Sequence, residues 1–180
     1  MNGNKQMLQV RYTIILLCCV FCLPKSDLEK HLESKGVSLN FHQVTAEKTL
    51  VLSGRNVDSA LVCMTVRKFP DLVFVQLVSA GIDDSVLPCL ADLPDLRYLD
   101  ISDSPVTVAG LVQLGSLQRL RTLVIRNCPN VDSDSLPQLA KLKNLESLEL
   151  SAEEYEPAAL KRLKENAYFD VRCGYSCELR

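Results

Sequence analysis

Tryptophan is absent from this 180-residue chain, and aromatic residues make up only 6% of it. Any core it forms must therefore be aliphatic. Glycine is scarce at 7 residues, which excludes the short-period, glycine-rich arrays that bind calcium. The only histidines, His31 and His42, cannot make a His-Glu-x-x-His zinc motif. Lysine and arginine runs are missing and the net charge is −2. That argues against a nucleic-acid binder that relies on a dense basic face. A glycine-rich phosphate loop and a nucleophile elbow are also missing, so no motif points to an enzyme or to a cofactor. What the chain does have is 47% hydrophobic residues, enough to fill the core of one ordinary domain.

Those residues are arranged periodically. The phrases Leu72-Val-Phe-Val75-Gln-Leu77, Leu96-Arg-Tyr-Leu99-Asp-Ile101, Leu120-Arg-Thr-Leu123-Val-Ile125 and Leu145-Glu-Ser-Leu148-Glu-Leu150 share one pattern. Leu50-Val-Leu52 is a weaker copy. The middle positions Leu50, Val75, Leu99, Leu123 and Leu148 are 25, 24, 24 and 25 residues apart. A fixed period of this length is the mark of a repeat solenoid. Within each phrase the last two apolar positions are two apart, hence on one side of a short strand. A second apolar set follows each strand: Ile82, Val86, Leu87, Leu90 and Leu93, then Val106, Leu111, Leu114 and Leu117, then Val131, Leu136, Leu139 and Leu142. Spacings of three to five predict a short helix packed over the strand layer. Asp58, Asp83, Thr107 and Asp132 recur just ahead of these helices. Their side-chain oxygens suit helix N-caps better than a row of metal ligands. Tyr168, Val171 and Cys173 repeat the spacing once more and predict a sixth strand.

The ends of the chain differ from the repeats. Residues 1–11 carry Lys5 and Arg11 and no acid, Tyr12 to Leu23 is almost wholly apolar, and Pro24 follows. This is the layout of a secretory signal peptide over 1–24, with Val20-Phe21-Cys22 as a tolerable cleavage site. An uncleaved anchor or a buried N-terminal helix remains an alternative. The run is too short to span a bilayer, which needs about 20 residues. Leu17 before Cys18 and Phe21 before Cys22 fit lipidation poorly. Ser26-Asp-Leu-Glu29 then opens a helix with a capping box, Gly36 stops it, and Val37, Leu39 and Phe41 alternate as a strand. Residues 26–47 are read as a cap over the first repeat, residues 48–173 as the repeat domain and 174–180 as a tail.

The stretch Leu120 to Leu142, with Asn127-Cys128-Pro-Asn-Val-Asp-Ser-Asp-Ser-Leu136, resembles the cysteine-containing leucine-rich repeat. That repeat occurs in F-box substrate receptors and in small exported bacterial proteins. The resemblance covers about residues 48–173 and implies an α/β solenoid, a short horseshoe with a concave parallel sheet and convex short helices. It also implies a binding module. No F-box precedes the repeats, and the leader favours the exported group: secreted, periplasmic or membrane-tethered. A cytoplasmic F-box-receptor-like adaptor remains the alternative if the leader is not functional, and a structural cell-envelope component is another. Membrane contact is expected only through the leader.

Five cysteines follow the leader. Cys128 sits at the repeat position whose counterparts are Ala80, Ser104 and Glu153, and is read as a buried turn contact. Cys63 and Cys89 lie in the helical segments and are read as small apolar fillers. Cys173 and Cys177 are four apart around Gly174. They either form a disulfide at the C-terminal edge or leave Cys173 buried and Cys177 loose. No metal site is expected.

The side chains between the leucines should point away from the core in three rows. These rows are Thr49, Phe74, Tyr98, Thr122, Ser147 and Asp170; Val51, Gln76, Asp100, Val124, Glu149 and Arg172; and Ser53, Val78, Ser102, Arg126, Ser151 and Gly174. Six strands about 4.8 Å apart offer room for a peptide or a patch of a protein. Phe74, Gln76, Tyr98, Asp100, Val124, Arg126 and Glu149 are the expected partner-binding positions, because aromatics and arginine anchor interfaces. The competing reading is that Phe74 and Tyr98 merely pack on one another.

Overall fold

The computed structural model describes residues 49–53, 57 and 59–173. The expected leader (1–24), the cap (26–47), Asp58, Gly174 and Cys177 lie outside these residues.

The chain is α/β, with one six-stranded parallel sheet. Its strands are β1 (Thr49–Val51), β2 (Phe74–Gln76), β3 (Tyr98–Asp100), β4 (Thr122–Ile125), β5 (Ser147–Leu150) and β6 (Asp170–Cys173). They lie side by side in chain order. The pairing follows the repeat: Leu50 opposes Val75, then Leu99, Leu123, Leu148 and Val171. Each step of the sequence period thus advances the chain by one strand. The paired apolar positions Val75 and Leu77, Leu99 and Ile101, Leu123 and Ile125, and Leu148 and Leu150 are all 0% exposed. Leu72, Leu96, Leu120 and Leu145, just ahead of the strands, are buried with them.

Helical segments cover this face. They are α1 (Ser59–Lys68), a 3₁₀ turn (Asp84–Val86) running into α2 (Leu87–Ala91), and α3 (Val108–Leu111) continuing as 3₁₀ (Val112–Ser116). A 3₁₀ helix (Leu136–Lys141), a short 3₁₀ turn (Ala152–Glu154) and α4 (Pro157–Asn166) complete the layer. The fourth repeat was expected to be helical, and its form is 3₁₀. In α1 the buried Thr65 hydroxyl donates to the Leu61 carbonyl at 2.8 Å and is satisfied, whereas the buried Ser147 and Tyr155 hydroxyls have no hydrogen-bond partner among the described residues.

Asp83 and Thr107 cap their helices as expected, whereas Asp132 lies in the turn ahead of its helix, whose N-cap is Ser135 with no side-chain cap bond. Asp83 accepts from the Ser85 amide, Thr107 from the Gly110 amide and Asp132 from the Ser135 amide at 2.7 Å. Thr107 is itself held from the repeat before: its amide and hydroxyl donate to the two carboxylate oxygens of Asp84, at 2.8 and 2.6 Å. Gly110 makes that contact possible, because a Cβ there would lie 2.3 Å from an Asp84 carboxylate oxygen.

Two expectations are corrected. Cys63 of α1 and Cys89 of α2 are not separate fillers. They are joined in a disulfide with Cα atoms 5.4 Å apart, because one repeat step sets the two helices side by side. Glu153, the positional counterpart of Cys128, lies exposed in a turn, and Tyr155 is buried nearby. Tyr168 is 81% exposed, and Phe169 packs against the core in its neighbourhood. The sixth strand itself is present.

Candidate functional site

The candidate site is the sheet face turned away from the leucines. The parallel register brings the first two expected rows together: Thr49, Phe74, Tyr98, Thr122, Ser147 and Asp170 run across the strands, with Val51, Gln76, Asp100, Val124, Glu149 and Arg172 beside them. No residue in either row is needed to fill the leucine core. That leaves the rows free to vary in chemistry.

Phe74 and Tyr98 oppose one another on β2 and β3, and their rings stack with centroids 3.9 Å apart and planes 3° from parallel. The strand spacing of about 4.8 Å imposes this: two flat side chains on adjacent strands can fill that gap only by standing face to face. Both remain partly exposed. Burial pushes the Tyr98 hydroxyl up to about 12, helped by the charges of Asp100 and Glu149 and opposed by Arg126.

A string of polar contacts crosses four strands beside the rings. The Gln76 amide donates to Asp100 Oδ2 at 3.2 Å. The backbone amide and hydroxyl of Ser102 donate to Asp100 Oδ1 at 3.0 and 2.6 Å. Ser102 Oγ in turn accepts from the Arg126 amide at 3.2 Å. The Arg126 guanidinium then pairs with Glu149 at 2.6 Å. At the far edge Arg172 pairs with Asp170 at 2.9 Å. Five of the seven expected contact positions (Phe74, Gln76, Tyr98, Arg126 and Glu149) are at least partly exposed. Asp100 and Val124 lie on this face and yet are only 5% and 1% exposed. They form the floor of the surface, and the longer side chains around them form its relief.

Reading the strands alone missed a fourth row. Ser79, Asp103 and Asn127 follow strands β2, β3 and β4 at intervals of 24, and all three adopt left-handed backbone, with φ of 54°, 57° and 54°. Asp and Asn tolerate that region better than most residues. The Ser79 hydroxyl and the Asn127 amide both donate to Asp103, at 2.7 and 2.9 Å. Polar residues recurring at one repeat position were the signal for this row.

A shallow hollow of about 420 Å³ is lined by Asn127, Cys128, Pro129, Val131 and Glu154. Cys128 is 2% exposed, and burial pushes its thiol up to about 11. It is therefore held as the weakly nucleophilic thiol, and its sulfur lies 3.6 Å from the Ile101 carbonyl. The described residues contain no group of three or more metal-ligating side chains, and no helix among them is long and apolar enough to cross a membrane. Cys173 ends β6, and its expected partner Cys177 lies outside the described residues.

No family profile matches the chain, and no curated protein matches it.

Proposed function

We propose that the chain is a leucine-rich-repeat solenoid, a short horseshoe with its parallel sheet on the concave side. It works as an exported, non-catalytic module that binds a protein or peptide across that sheet. The observation that carries this reading is the Phe74–Tyr98 stack. Two aromatic side chains stand partly exposed on a face that contributes nothing to the leucine core. Their mutual packing is worth about 1 kcal/mol, whereas the same rings at an interface are typical anchors. The Cys63–Cys89 disulfide supports export, since such bonds persist in oxidising compartments and are rare in the cytosol.

The test is crosslinking and affinity capture from the native cell, with the full chain as bait. A variant carrying Phe74→Ala and Tyr98→Ala should lose the partners captured by the wild type while keeping the same circular dichroism spectrum. Recovery of the same partners in the same amounts would sink the reading.

A further inference from the structure

We infer that the sheet face recognises a cationic side chain, a lysine or arginine presented by the protein or peptide partner. The cation docks against the Tyr98 ring with Asp100 as its counter-charge. This rests on the binding role proposed for that face and adds the chemistry of the occupant.

Charge complementarity carries the argument. The described part of the face holds four ionised groups already in pairs: Arg126 with Glu149, and Arg172 with Asp170. Two carboxylates have no such cation. Asp100 takes its hydrogen bonds from Gln76 and from the amide and hydroxyl of Ser102, all neutral donors. Asp103, in the turn that follows β3, takes its own from Ser79 and Asn127, again neutral. Neutral donors orient a carboxylate without cancelling its charge. A negative centre is therefore left on β3, to one side of the paired charges of β4, β5 and β6. Because Asp100 is 5% exposed, water screens it less than it would a surface carboxylate.

The rings supply the second half of the site. They stack like coins, so one face of Tyr98 is covered by Phe74 and the other looks along the row towards β4. The next residue there is Thr122, a much smaller side chain, which leaves a step beside the tyrosine ring. An aromatic face next to a carboxylate attracts a cation twice, through the ring quadrupole and through the full charge. The field of Asp100 and Glu149 at Tyr98, which helps to hold its hydroxyl protonated, has the sign this requires. Arg126, paired with Glu149, opposes that field in part.

The experiment titrates three short peptides of one alanine–serine background onto the isotopically labelled full chain. One carries lysine at its centre, one ε-acetyl-lysine and one glutamate. The ring signals of Phe74 and Tyr98 report binding. The lysine peptide should shift both rings, more weakly as salt is raised, and the other two should not. In Asp100→Asn the lysine peptide should bind about tenfold more weakly. Equal shifts from all three peptides would overturn the cation site and leave the binding face standing. No shift from the lysine peptide overturns the cation site too, while partner capture by the unaltered chain judges the binding role separately. Because the acetyl-lysine comparison uses only the wild-type chain, the outcome stands even if Asp100→Asn fails to fold.

Discussion

Leu99 and Tyr98 are neighbours in the chain but belong to regions with different rules. Leu99 is 0% exposed and sits in a column of apolar residues running from Leu50 to Val171. Tyr98 sits in a row that changes from threonine to phenylalanine, tyrosine, threonine, serine and aspartate. The buried leucines of the described repeats belong to one core cluster, so a change in one is felt in the next. The outer row is bound by no such demand, and its residues can be chosen for what they present. The same strands therefore hold a uniform side that stabilises and a varied side that is available for recognition.

The strongest way to break this contrast is to truncate both residues. Leu99→Ala should lower unfolding free energy by about 2–5 kcal/mol, as buried large-to-small changes do. Tyr98→Ala, partly exposed and stacked on one side, should cost about 1 kcal/mol. Urea denaturation of the two variants would show it, and similar losses would mean that both faces are core.

Next in size is the bond behind the leucine column. The Cys63–Cys89 disulfide closes a loop with a sequence separation of 26 and ties α1 to α2. Replacing both cysteines by serine should cost about 3 kcal/mol. The loss should appear as a lower urea midpoint, with ring signals of Phe74 and Tyr98 unchanged. Ring shifts as large as those of a binding-face variant would show that the helical layer and the outer face are not independent.

A smaller effect sharpens the comparison through pH. Burial raises the Tyr98 and Tyr155 hydroxyls above 10.0 and the Cys128 thiol above 9.0. Each raised group stays neutral longer in the folded chain than in the unfolded one, so its contribution is complete below the unfolded value and is lost as pH rises past it. Stability should therefore fall from about pH 9 to about pH 12. Tyr155→Phe, on the core side, should flatten that fall more than Tyr98→Phe, on the outer face. Thermal melts across the alkaline range would measure both, and the reverse order would contradict the difference in burial.

Much of the framework was legible in advance. Val75, Leu99, Leu123 and Leu148 gave the strand register because side-chain direction alternates strictly along a strand. Asp83 and Thr107 marked helix starts because capping is local chemistry, while Asp132 holds the turn before its helix. The failures came where a distant contact decides. The burial of Tyr155 after the short 3₁₀ turn at Ala152–Glu154 was not legible. Val124 and Asp100 alternate as outward residues should, but their neighbours cover them. Cys63 and Cys89 showed nothing in their own surroundings that distinguishes a bonded pair from two fillers.

By itself the sequence determined the parallel order of the strands, their register and the aliphatic core, because a repeating period and an alternating side-chain direction are properties of the backbone. Only the tertiary structure decided that Cys63 meets Cys89, that Phe74 and Tyr98 stand face to face, and that Asp100 is buried among neutral donors. Each of these depends on the distance between groups about one repeat apart, and that distance exists only once the strands lie side by side.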